Sequence, residues 1–206
     1  MLVAVETGDI VGSTQLAPEL LTSANVALNE CCLSLQDKTL GKFEVFRGDA
    51  YQVLYFNAKH ALRHAVLTKL YLLTQLEQPV LLTQSLSIGE LSDMPNNIGQ
   101  CMAPVFVNSG RHLDTLKSGI ISVEPSELSS DFSLAMAFFN SLLQQLTRKQ
   151  TTILYWYIKL DYPEHKVIAK QLGVTRQNVN THLQRANADL VKALLSQYSL
   201  RISELS

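Results

Sequence analysis

The first part of the chain alternates short apolar runs with amphipathic segments. Residues 2–7 have one clearly apolar side, which predicts a strand, and a helix is expected over about 15–36. Two β-rich runs, 43–47 and 50–56, flank Gly48-Asp49 and predict a hairpin. The remaining expected elements are a helix over 57–76, a strand over 82–88, a helix over 105–113 and a strand over 120–123. This order predicts an antiparallel, ferredoxin-like sheet with helices on one face.

The last third of the chain has the apolar spacing of helices alone. A wide apolar stripe over 126–146 predicts a connector helix, and the pattern leaves open whether the stripe packs on its own core or forms a coupling or dimer surface. Thr147 is placed to cap the next helix, which should end before Pro163. The overall prediction is an α+β protein, with a sheet domain over 1–125, the connector over 126–146 and an all-α domain over 147–206.

Within the all-α part, the spacing of three small or branched residues is that of a helix-turn-helix. Ala169 lets two helices approach, Gly173 supplies a tight turn, and Val179 anchors the second helix on the first. We expect one helix to end at Leu172 and the next, capped by Thr175, to continue to Leu195. The hydrogen-bonding residues suited to DNA on that second helix are Thr175, Arg176, Gln177, Asn178, Asn180 and Arg185.

Charge divides the chain in the same place. Residues 1–146 carry 8 basic and 14 acidic residues, whereas residues 147–206 carry 9 basic and 4 acidic residues. A basic segment favours a polyanionic partner, because neutralising phosphates releases their counterions. Together with the helix-turn-helix spacing, this charge predicts double-stranded DNA as a partner of the C-terminal part. The alternative is a three-helix unit that packs on another protein.

Amino-acid composition excludes several classes of protein and indicates the cellular compartment. With 47% apolar and 17% charged residues, the chain is not of the disordered class. It has no apolar run of the ~18–20 residues that a membrane span requires, and its start lacks the pattern of a secretory signal. Three cysteines make a poor disulfide framework, which favours free thiols in a reducing compartment. We therefore expect a cytoplasmic protein that does not enter a membrane.

Two aspartates of the first part are candidate metal ligands. Asp9 ends the first strand and Asp49 lies at the tip of the central hairpin, and a ferredoxin-like sheet makes these two places neighbours. Carboxylate oxygens suit Mg²⁺. The glycine-containing loop that follows Asp9 leads into a helix, so its backbone N–H groups could hold a phosphate. The residues of this loop are Ile10, Val11, Gly12, Ser13 and Thr14.

Two family resemblances rest on these motifs. The blocks TGDIVGSTQL, FRGDAYQVLY, LSIGEL and VNSGRHL resemble, in order, those of class III nucleotide cyclases. The segment LTRKQTTIL followed by VIAKQLGVTRQNVNTHLQRA resembles helix-turn-helix units of the region-4 and LuxR type. The combined layout resembles the SatD family of small bacterial cytoplasmic proteins.

The cyclase resemblance implies a site that is only partly retained. It implies that Asp9 and Asp49 bind Mg²⁺ and that the loop after Asp9 holds the phosphates of a nucleotide. Val45 stands where cyclases that use ATP carry a lysine. Asn108 and Arg111 are candidate substrate contacts, but they lie three residues apart where the cyclase pattern has four. We therefore expect a degenerate site that still binds a nucleotide but cyclises it inefficiently.

The sequence thus predicts a DNA-binding transcriptional regulator, acting as a homodimer, whose cyclase-like part binds a nucleotide or another phosphorylated ligand. By the helix-turn-helix resemblance, Thr175 to Asn178 and Asn180 would face the bases and Arg185 the DNA backbone. The alternative is an active Mg²⁺-dependent nucleotidyl cyclase that its C-terminal part regulates or targets. A protein-interaction adaptor is a third interpretation, which the presence of both Asp9 and Asp49 disfavours.

Overall fold

The protein is a mixed α+β structure built on one five-stranded sheet. The computed structural model describes residues 1–36, 41–46, 48–124 and 130–205. The strands are β1 (Leu2–Ile10), β2 (Gly41–Phe46), β3 (Ala50–Tyr55), β4 (Leu82–Glu90) and β5 (Ile121–Val123). The helices are α1 (Pro18–Gln36), α2 (Ala61–Gln75), α3 (Pro104–Thr115), α4 (Ser130–Gln145), α5 (Arg148–Lys159), α6 (His165–Leu172), α7 (Arg176–Arg185) and α8 (Ala188–Glu204).

The sheet has the strand order β2-β3-β1-β4-β5. The hairpin of β2 and β3 is antiparallel as expected, and β1 lies between β3 and β4, antiparallel to both. The expectation of a wholly antiparallel sheet is wrong at its edge, because β5 pairs with β4 in parallel. The chain returns to that edge through α3, a crossover that brings β5 in along the direction of β4.

Helices cover both faces of the sheet, which corrects the expectation of helices on one face. Side chains alternate along β1, so Ala4 and Ile10 join the large core on the side of α1 and α2. Val3 and Val5 point the other way and pack in a smaller cluster with Val105 of α3. The apolar pattern of β1, buried on both sides, reflects this double cover.

The C-terminal helices share the large core of the sheet. Hydrogen bonds from three side chains fix them there. The Arg148 guanidinium donates to Thr74 O (3.1 Å), and to Leu76 O, at the C-terminal end of α2. Arg63 of α2 donates to Ile158 O at 2.6 Å, and the Tyr198 hydroxyl of α8 donates to Ala58 O at 3.0 Å. We call residues 1–124 the sheet region and residues 148–204 the helical region.

Helix α4, the expected connector, packs against the edge of the sheet. Asn140 receives a hydrogen bond from Ile121 N (2.9 Å) and donates one to Ile121 O (2.8 Å), which extends the backbone pairing of β5. Its buried apolar side chains are Phe132, Met136, Phe139 and Leu143. Phe138 is 69% exposed on the opposite side. One stripe of this helix therefore packs on the protein's own core, while part of the predicted stripe stays uncovered.

Two expected helices have different bounds in the structure. The helix expected over 15–36 begins at Pro18, after a 3-10 turn at Ser13–Gln15. The helix expected to continue from Thr175 to Leu195 is two helices, because α7 ends at Arg185 and Asn187 adopts a left-handed conformation (φ 48°) before α8. Leu190, expected in the apolar stripe, is 67% exposed as a result.

Candidate functional site

The two predicted metal ligands lie at the same end of the sheet. Asp9 is opposite Ala50 in the β1–β3 ladder, and Ile10 N donates to Asp49 O at 3.0 Å. Both aspartates are half-buried. The Ser13 hydroxyl donates to Asp49 Oδ2 at 2.6 Å, which fixes this carboxylate against the loop after β1. The topology thus brings together the end of β1, the tip of the β2–β3 hairpin and the loop that follows β1.

The donor set at this place fits a divalent cation. Asp9 Oδ1 is buried and accepts no hydrogen bond within the described residues. Burying a carboxylate oxygen without a partner is costly, and a cation beside it removes that cost. Among the described residues no group of three or more His, Cys, Asp or Glu side chains has the arrangement of a metal site, so two carboxylates, with water as further ligands, are what the chain offers Mg²⁺ here.

The predicted phosphate loop is only partly open. The N–H groups of Ile10 and Val11 donate to Asp49 O and Leu81 O, so these two residues do not offer a free amide to a ligand, which corrects their assignment. Gly12 has a left-handed backbone (φ 66°), which turns the chain into the 3-10 turn. Among the described residues, the amides of Gly12, Ser13 and Thr14 make no hydrogen bond to another backbone group. Any anion seat in this loop is therefore formed by these three amides.

Helix α3 brings further polar groups to the face of the sheet that carries Asp9. Alternation along β1 places Thr7 and Asp9 on the same face as α3. The Thr7 and Ser109 hydroxyls lie 2.5 Å apart, and Gln52 Nε2 donates to Thr7 Oγ1 at 3.1 Å. The predicted substrate contacts, Asn108 and Arg111, are both on the exposed side of α3. Ser109, buried between them, is the residue of this segment that contacts the sheet.

A second polar cluster lies on the opposite face of β1 and is closed to solvent. Glu6 is fully buried, and its Oε1 accepts hydrogen bonds from Tyr51 (2.6 Å) and Gln84 (2.8 Å), while its Oε2 accepts one from Tyr55 (2.5 Å). Burial raises the pKa of Glu6, against these hydrogen bonds, which favour the charged form. Lys69, also buried, donates to Leu82 O, and desolvation lowers its pKa to about 7. No ligand can reach these groups, so the cluster contributes to the core.

At the other end of the molecule, α6 and α7 form a compact helical pair. Gly173 ends α6 in a left-handed conformation (φ 64°), as its position predicted. The Thr175 hydroxyl oxygen caps α7 by accepting from Asn178 N at 3.1 Å. Ile168 and Val179 are fully buried where the two helices meet, and Ala169 is nearly so. The short connection between the helices thus fixes their crossing.

The predicted DNA contacts divide into two groups. Five residues are exposed, four of them consecutive at the start of α7: Thr175, Arg176, Gln177, Asn178 and Arg185. Asn180 is half-buried and lines a cleft with Tyr157 and His165, and its role as a base contact stays a prediction. It follows the buried Val179 directly, and this places it at the edge of the packed side.

Sequence reasoning missed several contacts that shape these sites. It had no partner for Ser13, whose hydroxyl binds Asp49, and it did not relate Thr7 to Ser109, which lie 102 residues apart. It also missed the polar bonds of Arg63 and Arg148 to the ends of neighbouring helices. A signal existed for Arg63, a basic residue on the helix face that carries Val66 and Leu67, but the carbonyls that both arginines contact have no sequence signature.

Comparison with known proteins gives a distant likeness. No protein-family model matches the chain, and no curated protein sequence matches it. Among solved structures, the guanylyl cyclase Cya2 is similar over 66% of this chain and 78% of its own, with 19% sequence identity and a TM-score of 0.46. Among the described residues, no helix is long and apolar enough to cross a bilayer.

Proposed function

We propose that the protein is a sequence-specific DNA-binding regulator in which α6 and α7 form a helix-turn-helix. The single observation that carries this proposal is the start of α7, where Arg176, Gln177 and Asn178 are exposed while Val179 beneath them is fully buried. Such an arrangement presents hydrogen-bonding side chains on a fixed helix end, as reading of base edges in the major groove requires. The surplus of basic residues over 147–206 supports the same partner.

For the sheet region, we propose a ferredoxin-like, cyclase-like module that binds Mg²⁺ and a nucleotide or related phosphorylated ligand. The orphaned Asp9 Oδ1 beside Asp49 and the three open amides at Gly12, Ser13 and Thr14 support this assignment. Asp9 and Asp49 would hold the cation, which supplies charge neutralisation for the phosphates. We further propose that the protein is related to the SatD family and that it acts as a homodimer in the cytoplasm.

The regulatory link follows from how the two regions meet. Helix α2 lies under the sheet and also carries the contacts of Arg63 and Arg148 to the helical region. A ligand of the sheet region regulates DNA binding only if it has different affinities for two arrangements of the helical region. We propose that α2 carries that difference, because both regions pack on it.

Selection from a random duplex DNA pool tests the DNA-binding proposal. The wild-type protein should enrich a defined sequence, and Arg176→Ala, which leaves the helix intact, should enrich it less sharply. Lys117 is an exposed basic residue after α3, so Lys117→Ala is the matched control and should enrich the same sequence as wild type. Recovery of no consensus by the wild-type protein would refute base reading and favour a protein-docking role for α7.

The competing proposal, an active cyclase, has a specific observation in its favour: the orphaned oxygen of Asp9 beside Asp49. Against it, Asn108 and Arg111 lie on the exposed side of α3, and loss of one positioned donor for the transition state costs ~10²–10³ in rate. We expect no efficient formation of a cyclic nucleotide from ATP or GTP with Mg²⁺. Robust product formation that Asp49→Ala abolishes would overturn this expectation and establish the alternative.

A further inference from the structure

A basic cleft lies where α2 meets α5 and α8. It consists of two adjoining cavities that share Arg63 and Lys159 in their linings. The smaller, of about 160 Å³, extends between α1, α2 and α5, and the larger, of about 470 Å³, extends towards the turn between α5 and α6. Lys59, His60 and Tyr162 also line the larger cavity. We call the two together the Arg63 cleft.

The positive charges of this cleft are incompletely neutralised. Asp161 Oδ1 is 3.7 Å from an Arg63 nitrogen, but the Asp161 side chain is 82% exposed, so this pair is weak. The carboxylate of Glu30, the other acid of the cleft, accepts a hydrogen bond from the Tyr71 hydroxyl at 2.9 Å. Within the described residues, neither Lys59 nor Lys159 has a carboxylate within salt-bridge distance. The cleft therefore holds three cations, Lys59, Arg63 and Lys159, against two acids that are engaged or solvated.

Two further observations point to an anionic occupant. Arg63 Nε is buried and has no hydrogen-bond acceptor in the described part of the chain, so this charged donor is unsatisfied. The pKa of His60 is lowered by partial burial and by the neighbouring charges of Arg63 and Lys59, which reports a positive potential at the cleft. Both effects are relieved by a negative group near Arg63.

The rim of the cleft has an unusual backbone. Asp161 and Tyr162 both adopt left-handed conformations, with φ of 59° and 58°, although neither is glycine. Such conformations cost of order 1 kcal/mol each in most contexts and cluster at ligand sites and switch regions. Here Asp161 and Tyr162 line the larger cavity together with Arg63, so the strained segment forms one wall of it.

We propose that the Arg63 cleft binds a small phosphate-bearing metabolite, with the phosphate beside Arg63 and Lys159 and the rest of the ligand in the larger cavity. Three cations suit a dianionic phosphate better than a single carboxylate. The larger cavity falls within the ~300–1,000 Å³ of small-molecule sites. This site is separate from the Asp9–Asp49 end of the sheet, and its occupancy does not depend on DNA reading. Because α2, α5 and α8 all line it, a bound ligand stabilises the junction of the two regions.

Trp156, the single tryptophan of the chain, is a built-in reporter for this test. Lys159 Nζ lies 5.1 Å from the centre of its ring, so an anion on Lys159 changes the environment of the indole. The full-length protein is titrated with inorganic phosphate and pyrophosphate in the presence of EDTA, and with acetate and chloride at matched ionic strength. The two phosphates should give a saturable change in fluorescence, and acetate and chloride should give none.

Variants locate the binding. Lys59→Gln and Lys159→Gln should each weaken pyrophosphate affinity by about tenfold or more, since a hydrogen bond to a charged group is worth about 1.5–3 kcal/mol. Affinity is measured by calorimetry, because Lys159→Gln itself alters the surroundings of Trp156. Lys117→Gln removes an exposed charge after α3, away from the cleft, and should bind as wild type.

Three results would each overturn the proposal. The first is a wild-type titration with no saturable change. The second is undiminished affinity in both Lys59→Gln and Lys159→Gln, with folding verified by circular dichroism. The third is an equal loss of affinity in Lys117→Gln, which would mean that the anion responds to the overall charge of the protein rather than to the cleft. None of these results bears on whether α7 reads DNA, so failure here is distinguishable from failure of the DNA-binding proposal.

Discussion

The sheet region and the helical region place their polar groups in opposite ways. Of the buried polar and charged residues in the described part of the chain, all but Asn140 and Thr151 lie in the sheet region. The helical region instead has an apolar interior, and its polar side chains crowd the exposed start of α7. Polar groups inside a fold respond to burial and pH, whereas polar groups on a fixed surface are available to a partner. This difference is consistent with the proposed role of α7 in recognition, because its polar side chains are free to meet a partner.

The strongest way to break the comparison is to place a charge inside the helical region. Val179→Asp buries an unpaired carboxylate where α6 and α7 meet, and it should cost at least about 4 kcal/mol of unfolding free energy. Asn178→Asp makes the same side chain one position earlier, where the residue is exposed, and should cost about 0.5 kcal/mol or less. Urea denaturation compares the two. Equal stability of the two variants would mean that this packing is not the interior of the helical region.

The reverse substitution, an apolar residue for a buried charge, sharpens the comparison in the sheet region. Glu6→Leu leaves the donors of Tyr51, Tyr55 and Gln84 without their acceptor and should destabilise the fold by about 3 kcal/mol. Tyr55→Phe removes only one donor and should cost about 1 kcal/mol. Chemical denaturation measures both. If Glu6→Leu were as stable as wild type, the buried network would contribute nothing to the fold.

The same interior should make stability depend on pH in a defined direction. Burial lowers the pKa of Lys69 to about 7, from 10.5 in the unfolded chain, so between these values the unfolded state binds more protons. The free energy of unfolding should therefore rise as pH increases from 7 towards 8.5. Above that range, the thiols of Cys31 and Cys32, whose pKa values are raised by burial, act in the opposite direction.

Lys69→Met isolates this effect, because it keeps the length of the side chain and removes its titration. Urea denaturation at pH 7.0, 7.5, 8.0 and 8.5 should show a rising free energy of unfolding for wild type and a flatter profile for the variant. A wild-type profile that falls over this range would contradict the assigned direction. Within the described residues, the helical region has no buried lysine or carboxylate, and the pKa values of its buried tyrosines Tyr155, Tyr157 and Tyr198 are raised, so it adds no comparable titration between pH 7 and 8.5.

Local sequence signals predicted the elements but not how they assemble. Gly173 and the caps at Thr147 and Thr175 marked their helix ends correctly, because each acts within a few residues of the backbone that it completes. The break at Asn187 was missed, since the 3–4 spacing of apolar residues continues across it. The position of α3 on the second face of the sheet was also missed, because alternation along a strand does not reveal whether its second side is covered.

The candidate sites show the same limit. The proximity of Asp9 and Asp49 follows from strand order, which the hairpin and the neighbouring strands suggested. The Arg63 cleft joins a 3-10 turn at Ala58–His60 and helix α2 to the end of α5 and the turn after it, about 100 positions further along the chain. Its charges form no local motif. Only the packing of α2 against α5 and α8 brings them together.

The most direct test of the account measures how α7 discriminates between DNA sequences. Binding of wild type, Arg176→Ala and Arg185→Ala is measured on the selected site and on a scrambled site at two salt concentrations. Arg176→Ala should lose ~1–3 kcal/mol of specificity, and Arg185→Ala should weaken both duplexes alike and reduce the salt slope by about one unit. If wild type and Arg176→Ala bound both duplexes with the same affinity, α7 would not read bases and the central claim would be wrong.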